Sequence, residues 1–104
     1  MTIFALSTGS GISGIAVIRV SGKNTAEVVK KITGSKLPSP KVATLTKFNK
    51  NGTKELIDEG VIIWFPAPNS YTGEDLAEFH VHGSRAVIKA MHSAISKTKS
   101  CRLA

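Results

Sequence analysis

The sequence predicts an α+β domain, in which a single mixed β-sheet of about five strands carries two to three packed helices. Short runs rich in β-branched residues, bounded by glycine and proline, are typical of strands. Two longer segments repeat apolar residues at helical spacing. An Asn-Gly pair between two strand-like runs favours an antiparallel hairpin. The order strand, strand, helix, hairpin, strand, helix indicates one domain over residues 1–104.

The first two predicted strands are Thr2–Ser7 and Gly14–Val20. The glycines from Gly9 to Gly14 between them match the G-x-G-x-x-G spacing of dinucleotide sites. That motif requires a helix directly after the glycines, whereas a strand-like run follows here. The mismatch excludes a Rossmann site and favours a flexible loop that lets the backbone approach a ligand or a partner chain.

The first predicted helix starts at Asn24, because an N-cap acceptor is followed three residues later by the carboxylate of Glu27. Gly34 provides a stop signal. One face of this helix is expected to be buried, and it consists of Thr25, Val28, Val29 and Ile32.

The central part of the chain predicts a hairpin and a buried strand. Val42–Phe48 alternates apolar and polar residues, as a half-buried edge strand does. Asn51-Gly52 predicts a tight turn and a firm register with a strand that begins near Leu56. Val61–Phe65 has no polar face, which is typical of a central strand covered on both sides.

The last predicted strand is Leu76–Val81, and Ser84 can cap a helix that continues to about Lys97. One apolar stripe of this helix is formed by Val87, Ile88, Met91 and Ile95. Lys97–Ala104 has no periodic pattern, so we expect a frayed terminus.

Composition excludes several classes of protein. The 104 residues are 41% hydrophobic and 20% charged, which is typical of a globular domain rather than a disordered chain. The longest apolar run is too short to cross a bilayer. Cys101 is the single cysteine and can form no internal disulfide. These features favour a cytoplasmic protein with no membrane partner.

The net charge of +7 allows two interpretations, a solvated lysine surface or a face that contacts RNA. The lysines in question are spread over a helix, a loop and a hairpin without interleaved aromatic residues for base stacking. They are Lys23, Lys30, Lys31, Lys36, Lys41, Lys47, Lys50 and Lys54.

The predicted strand Leu76–Val81 places Glu78, His80 and His82 on the face opposite Phe79. These three side chains could bind a metal, or they could be purely structural. Alternatively, Glu78 could accept two parallel N–H donors from a planar heterocycle. Arg19 would then offer a cationic fork to a ligand oxygen, unless it is a surface arginine paired with an acid. No residue is predicted to be a nucleophile or a general base.

Several segments together resemble the N-terminal domain of the MnmE (TrmE) family of tRNA modification GTPases. They are Gly14–Gly22, Leu37-Pro38, Trp64–Asp75, Glu78 and His82-Gly83. The resemblance implies a tetrahydrofolate-binding domain, similar in fold to that of aminomethyltransferases, which also forms a homodimer. It implies 5-formyl- or methylene-tetrahydrofolate as the cofactor. Arg19 and Glu78 match folate-contacting positions of the family.

The resemblance also implies an activity for the whole protein. Such proteins act with a flavoprotein, MnmG or GidA, to add an aminomethyl or carboxymethylaminomethyl group to carbon 5 of the wobble uridine in tRNA. GTP, magnesium and potassium belong to a separate GTPase domain. The chain has no G-x-x-x-x-G-K-S/T loop, so we expect a fragment that is inactive as a hydrolase alone. The alternative is a basic module that docks nucleic acid or protein without binding folate.

Overall fold

A computed structural model describes residues 1–7, 14–34, 36–70, 72–98 and 101–103. Within these residues the chain forms six strands and two helices. In order they are β1 Thr2–Leu6, β2 Ile15–Ser21, α1 Thr25–Thr33, β3 Thr44–Asn49, β4 Leu56–Phe65, β5 Leu76–His82, α2 Arg85–Ser96 and β6 Cys101–Leu103.

The six strands form one mixed sheet in the order β3-β4-β5-β2-β1-β6. Neighbours pair antiparallel except β1 and β6, which are parallel. The α+β prediction is confirmed, with one strand more than expected and the lower of the two expected helix numbers. Since β5 and β2 lie in the middle of the sheet, the strands that contain Glu78 and Arg19 are held by neighbours on both sides.

Both helices cover the same face of the sheet, which we call the covered face. A row of directly paired residues, Ile18, Phe79 and Ile62, is fully or almost fully buried there. The Phe79 ring meets Phe48 of β3 edge-to-face, with ring centroids 5.3 Å apart. Such large buried rings dominate the energetics of a small core. The core therefore lies on one side of the sheet.

Helix α1 buries the predicted stripe of Thr25, Val28, Val29 and Ile32. It ends at Gly34, whose φ of 69° is the left-handed conformation that glycine adopts without strain. The predicted cap at the other end is wrong, because the Asn24 side chain makes no capping hydrogen bond. Instead Thr2 Oγ1 accepts the Asn24 backbone N–H at 2.8 Å. In a capping box Glu27 would accept this N–H, so a tertiary contact with β1 replaces the Glu27 half of the predicted cap.

Helix α2 starts as predicted. Ser84 Oγ accepts the backbone N–H of Val87 at 3.2 Å. Met91 and Ile95 are fully buried, and Val87 and Ile88 pack against the core at its margin.

The β3–β4 hairpin is confirmed, but its connection is longer than the predicted tight turn. Residues 50–55 join the strands, and Gly52 alone of the Asn51-Gly52 pair has a positive φ, at 74°. The register shifts between Phe48 and Asn49, so the expected firm register is wrong at that point. The reason is that Asn51 makes a tertiary contact: its Nδ2 donates to Ala94 O of α2 at 3.1 Å.

The C-terminal segment also differs from expectation. Residues 101–103 of the stretch predicted to be frayed form β6, which pairs with β1. Burial and the nearby Glu27 carboxylate raise the pKa of the Cys101 thiol, so this cysteine has no activated thiolate. The glycine loop that we expected to approach a ligand or a partner chain falls on Gly9–Ser13, which lie outside the described residues. The strand β2 that follows it confirms the exclusion of a Rossmann site.

Candidate functional site

The face of the sheet opposite the helices, which we call the open face, carries a polar cluster between apolar rows. Arg19, Glu78 and Ile63 are directly paired across β2, β5 and β4. The next row is Val17, His80 and Val61. Val61 and Ile63 remain half-buried, so the prediction that β4 is covered on both sides is wrong for the described chain. One side of β4 is available to a ligand or a partner.

Glu78 is the centre of this cluster. Its carboxylate accepts a hydrogen bond from Arg19 Nε at 2.9 Å through one oxygen. Its other oxygen lies 3.1 Å from His80 Nε2, which donates to it when the carboxylate is ionised. Although 59 residues separate Arg19 from Glu78 in sequence, the β2–β5 register brings them together.

The cluster buries a carboxylate on a face that neither of the two described helices covers. Glu78 is 8% exposed as a residue, whereas the Arg19 side chain is 46% exposed. Removing a carboxylate from water is unfavourable unless charged or polar partners compensate. Arg19 and His80 supply that compensation. An ionised carboxylate has about four lone-pair positions, so Glu78 retains acceptor capacity beyond these two contacts.

A small cavity lies beside His80, where the pairing of β4 with β5 ends at Val61. It has a volume of about 180 Å³, and its lining includes Ile15, Val61 and His82. Ligand pockets usually enclose about 300–1,000 Å³. The cavity can therefore take one part of a larger ligand, and the rest would lie along the open face or against another chain.

Asp58 and His82 form a second polar pair at the rim of this cavity, which the sequence analysis did not predict. Asp58 accepts the backbone N–H of His82 at 2.8 Å and the imidazole Nδ1–H at 2.8 Å. Burial alone would raise the pKa of Asp58, but these hydrogen bonds outweigh it and the pKa lies below its ordinary value. The pair fixes the orientation of the exposed imidazole.

Gly60 allows β4 to pass close to β5 at this rim. A Cβ atom on Gly60 would lie 2.0 Å from His80 O, a distance no side chain can occupy. A glycine inside a strand pattern indicates a bulge or close backbone approach. Gly60 was therefore the residue from which the close approach of β4 to β5 could have been predicted.

The metal interpretation of Glu78, His80 and His82 gains no support. His80 contacts Glu78 while His82 contacts Asp58, so the two imidazoles serve different carboxylates. No cluster of three potential metal ligands exists within the described parts of the chain.

The three acidic residues at the start of β5 and just before it, Glu74, Asp75 and Glu78, have different roles. Asp75 Oδ1 accepts the Ala67 backbone N–H at 2.9 Å, and Asp75 O accepts Gly22 N–H at 3.0 Å. Asp75 therefore closes the loop onto the end of β2. Ser70 Oγ donates to Glu74 O, and the Glu74 side chain is exposed. Of the three acids in this stretch, only Glu78 joins the cluster on the open face.

Comparison with known proteins identifies the family. Residues 2–104 match the family model described as GTP-binding protein TrmE N-terminus. The chain belongs to the TrmE N-terminal family.

Relatives within this family are similar over almost the whole chain. The tRNA modification GTPase MnmE of Pelagibacter ubique is 67% identical over 104 residues, which is 100% of this chain and 24% of the relative. The mitochondrial 5-taurinomethyluridine-[tRNA] synthase subunit GTPB3 of Danio rerio is 47% identical over 97% of this chain and 20% of the relative. The MnmE of Parvibaculum lavamentivorans is 46% identical over 99% of this chain and 24% of the relative.

The chain thus spans about a quarter or less of the length of these curated relatives. The resemblance seen in the sequence is confirmed at the level of the TrmE N-terminal family and its tRNA modification GTPases. Neither described helix is long and apolar enough to cross a membrane.

Proposed function

We propose that this chain is the tetrahydrofolate-binding and homodimerisation domain of a cytoplasmic tRNA modification GTPase. The observation that carries the proposal is the Glu78 carboxylate, which is buried between Arg19 and His80 on the open face. By the family resemblance, Arg19 and Glu78 would occupy folate-contacting positions, and the relatives are tRNA-modifying proteins by name.

The residues present fit a reduced pterin. A pterin offers adjacent ring N–H and amino donors, and Glu78 has acceptor capacity beyond its bonds to Arg19 and His80. Two half-buried apolar side chains, Ile63 in the same row as Glu78 and Val61 in the next row, would contact the ring. When bound, a reduced folate would supply the one-carbon unit.

The protein's own residues would bind and orient this ligand. Glu78 would hold the pterin N–H groups, and Arg19 would fix the direction of the carboxylate. His80 contacts the second oxygen of Glu78 and thereby restricts rotation of the carboxylate. The cavity beside His80 is too small for a complete folate, which agrees with a site completed by a second copy of the chain.

The whole protein is proposed to act with an MnmG- or GidA-type flavoprotein on the wobble uridine of tRNA. It would add an aminomethyl or carboxymethylaminomethyl group at carbon 5. GTP hydrolysis, with magnesium and potassium, is assigned to a domain outside this chain. The contribution of the present domain is to hold the one-carbon donor.

Calorimetric titration with 5-formyltetrahydrofolate tests the folate site. We expect saturable binding by the protein and at least about tenfold weaker binding by Glu78→Gln, since a hydrogen bond to a charged group contributes about 1.5–3 kcal/mol. Arg19→Gln should weaken binding as well. Glu55→Gln removes an exposed acid on the β3–β4 loop and serves as the matched control.

Two results would contradict the folate site: no binding at millimolar ligand, or equal affinity in the protein and in Glu78→Gln. Sedimentation equilibrium tests dimerisation separately. A species that remains monomeric at high concentration, with and without the folate, would contradict a dimer of this chain.

A further inference from the structure

Two grooves lie beside the β3–β4 loop on the side of the molecule that the helices cover. The first, of about 810 Å³, runs between the end of α1 and the loop and is lined by Lys30, Lys31, Lys36 and Lys54. The second, of about 370 Å³, runs between the loop and α2 and is lined by Lys50, Lys89 and Lys97. We call these seven side chains the lysine surface. The fold gathers lysines that are dispersed in the sequence.

The charge of this surface is strongly one-sided. None of the described residues that line either groove is acidic. Two glutamates lie nearby, since Glu27 pairs with Lys31 at 3.4 Å and Glu55 pairs with Lys50 at 2.9 Å. Seven lysines against two glutamates leave an excess of positive charge. Concave surfaces lined by one sign of charge concentrate counter-ions of the other sign.

The loop between the two grooves is anchored on α2. Asn51 Nδ2 donates to Ala94 O at 3.1 Å and to Thr98 Oγ1 at 3.0 Å. Phe48, just before the loop, is fully buried. The backbone of the loop therefore keeps its position relative to α2 without a partner, which lowers the entropic cost of binding one.

The lining chemistry favours the phosphate backbone of a nucleic acid over a membrane or a protein. No large exposed apolar residue found in the described chain lines either groove, whereas a membrane-surface helix inserts such residues. Protein interface cores are rich in aromatic residues and poor in lysine. Phosphate contacts need only cations and polar donors, and Thr33, Asn49 and Thr53 supply the latter beside the lysines.

We propose that the lysine surface binds the phosphodiester backbone of RNA, independently of base sequence. The surface lies on the side of the sheet away from Glu78, so RNA and a ligand of the open face can bind at the same time. The proposal goes beyond the folate site, and it rests on the proposed function only in the choice of RNA as the polymer.

Fluorescence anisotropy with a labelled, unmodified tRNA transcript at a series of KCl concentrations tests this proposal. The test variant is Lys30→Gln/Lys54→Gln/Lys89→Gln, with substitutions in both grooves. The matched control is Lys23→Gln/Lys41→Gln/Lys47→Gln, which removes the same charge from exposed lysines that line neither groove. Circular dichroism establishes that both variants fold.

We expect the protein to bind with a salt dependence that reflects several phosphate contacts. The slope of log K against log[salt] should become shallower by about 2–3 in the test variant, since each phosphate contact contributes about 0.7–0.9. Affinity at moderate salt should fall at least about tenfold in the test variant and much less in the control. A transcript of unrelated sequence should bind equally well.

Equal losses in the two triple variants would overturn the proposal, because net charge alone would then explain binding. Absence of tRNA binding would overturn it too, as would stronger lysine-dependent binding to phosphatidylserine vesicles than to tRNA. Titration of the unsubstituted protein with 5-formyltetrahydrofolate and with tRNA separates the two proposals: folate binding without RNA binding overturns the lysine surface alone, and RNA binding without folate binding overturns the folate site alone.

Discussion

The two faces of the sheet hold their charged groups in different ways. On the covered face, the helices bury Phe79 and its neighbours. The lysine surface is exposed to solvent around the helices and the hairpin loop. On the open face, Glu78 is buried within the sheet and is compensated by Arg19 and His80. Solvated lysines contribute little to stability, whereas a buried carboxylate requires its partners. Under the two proposals, the open face binds one specific ligand and the lysine surface binds a polyanion without base specificity.

The largest expected loss of stability comes from a substitution in the core of the covered face. Phe79→Ala removes a fully buried ring that contacts Phe48, and it should lower the free energy of unfolding by about 3–5 kcal/mol. Urea denaturation followed by circular dichroism measures this. A loss below about 1 kcal/mol would show that the core does not depend on this face.

The neighbouring residue tests the open face. Glu78→Ala leaves Arg19 Nε and His80 Nε2 without their acceptor, and we expect a smaller loss of about 1–3 kcal/mol, since Arg19 is partly solvated. Folate binding should nevertheless disappear in this variant. If Glu78→Ala were as destabilising as Phe79→Ala, Glu78 would be mainly a structural residue.

The rim pair is expected to contribute less than Glu78. Asp58→Asn keeps the shape but removes the charge that His82 contacts, and the free energy of unfolding at pH 7 should fall by about 1 kcal/mol. Because the pKa of Asp58 is lowered in the folded state, this contribution is present above its ordinary value of 3.8 and is lost as the pH falls further. Stability that is identical in the two proteins at pH 7 would contradict the pair.

A pH effect on the covered side should be traceable to His92. Burial lowers the pKa of His92 below its ordinary value of 6.5, and its Nε2 has no hydrogen-bond partner in the described chain. The unfolded chain therefore binds this proton more readily, and stability should decrease as the pH falls below 6.5. His92→Phe keeps an aromatic ring against Phe4 and should reduce the change in Tm between pH 8 and pH 5, which thermal unfolding at a series of pH values measures. An unchanged pH dependence would contradict this assignment.

The smallest expected effect on stability comes from the lysine surface. Lys30→Gln/Lys54→Gln/Lys89→Gln should change the free energy of unfolding by less than about 1 kcal/mol, since exposed substitutions usually stay within about 0.5 kcal/mol each. The same denaturation experiment measures it. A large loss would mean that these lysines maintain the fold rather than bind a partner.

Elements with a local signal were predicted well from the sequence. The Ser84 cap and the apolar stripe that includes Met91 lie within one short segment of the sequence, and the structure confirms both for helix α2. Strand β6 has three residues and exists through pairing with β1, so periodicity could not reveal it. Likewise the sequence predicted a local capping box at Asn24, whereas the Asn24 backbone N–H is accepted by Thr2 of β1, a tertiary contact.

The candidate site shows the same division between local and tertiary information. Alternation along β5 placed Glu78 and His80 on one face, and both the chemistry of Arg19 and the family resemblance suggested Arg19 as a second ligand contact. The contact between Arg19 and Glu78 depends on the β2–β5 register, which no local pattern specifies. Asp58 was missed because an acid in an alternating strand is typical of a solvated position. The gathering of lysines into two grooves also depends on how the hairpin loop docks on α2.

The separation of the two faces can be tested most directly by mapping amide chemical shifts of the labelled protein during titration with 5-formyltetrahydrofolate and then with tRNA. The account predicts that the folate shifts amides of β2 and β5 around Arg19 and Glu78. It predicts that tRNA shifts a separate set near Lys30, Lys54 and Lys89. One shared set of shifted amides for both ligands, or no shifts around Glu78 with the folate, would contradict it.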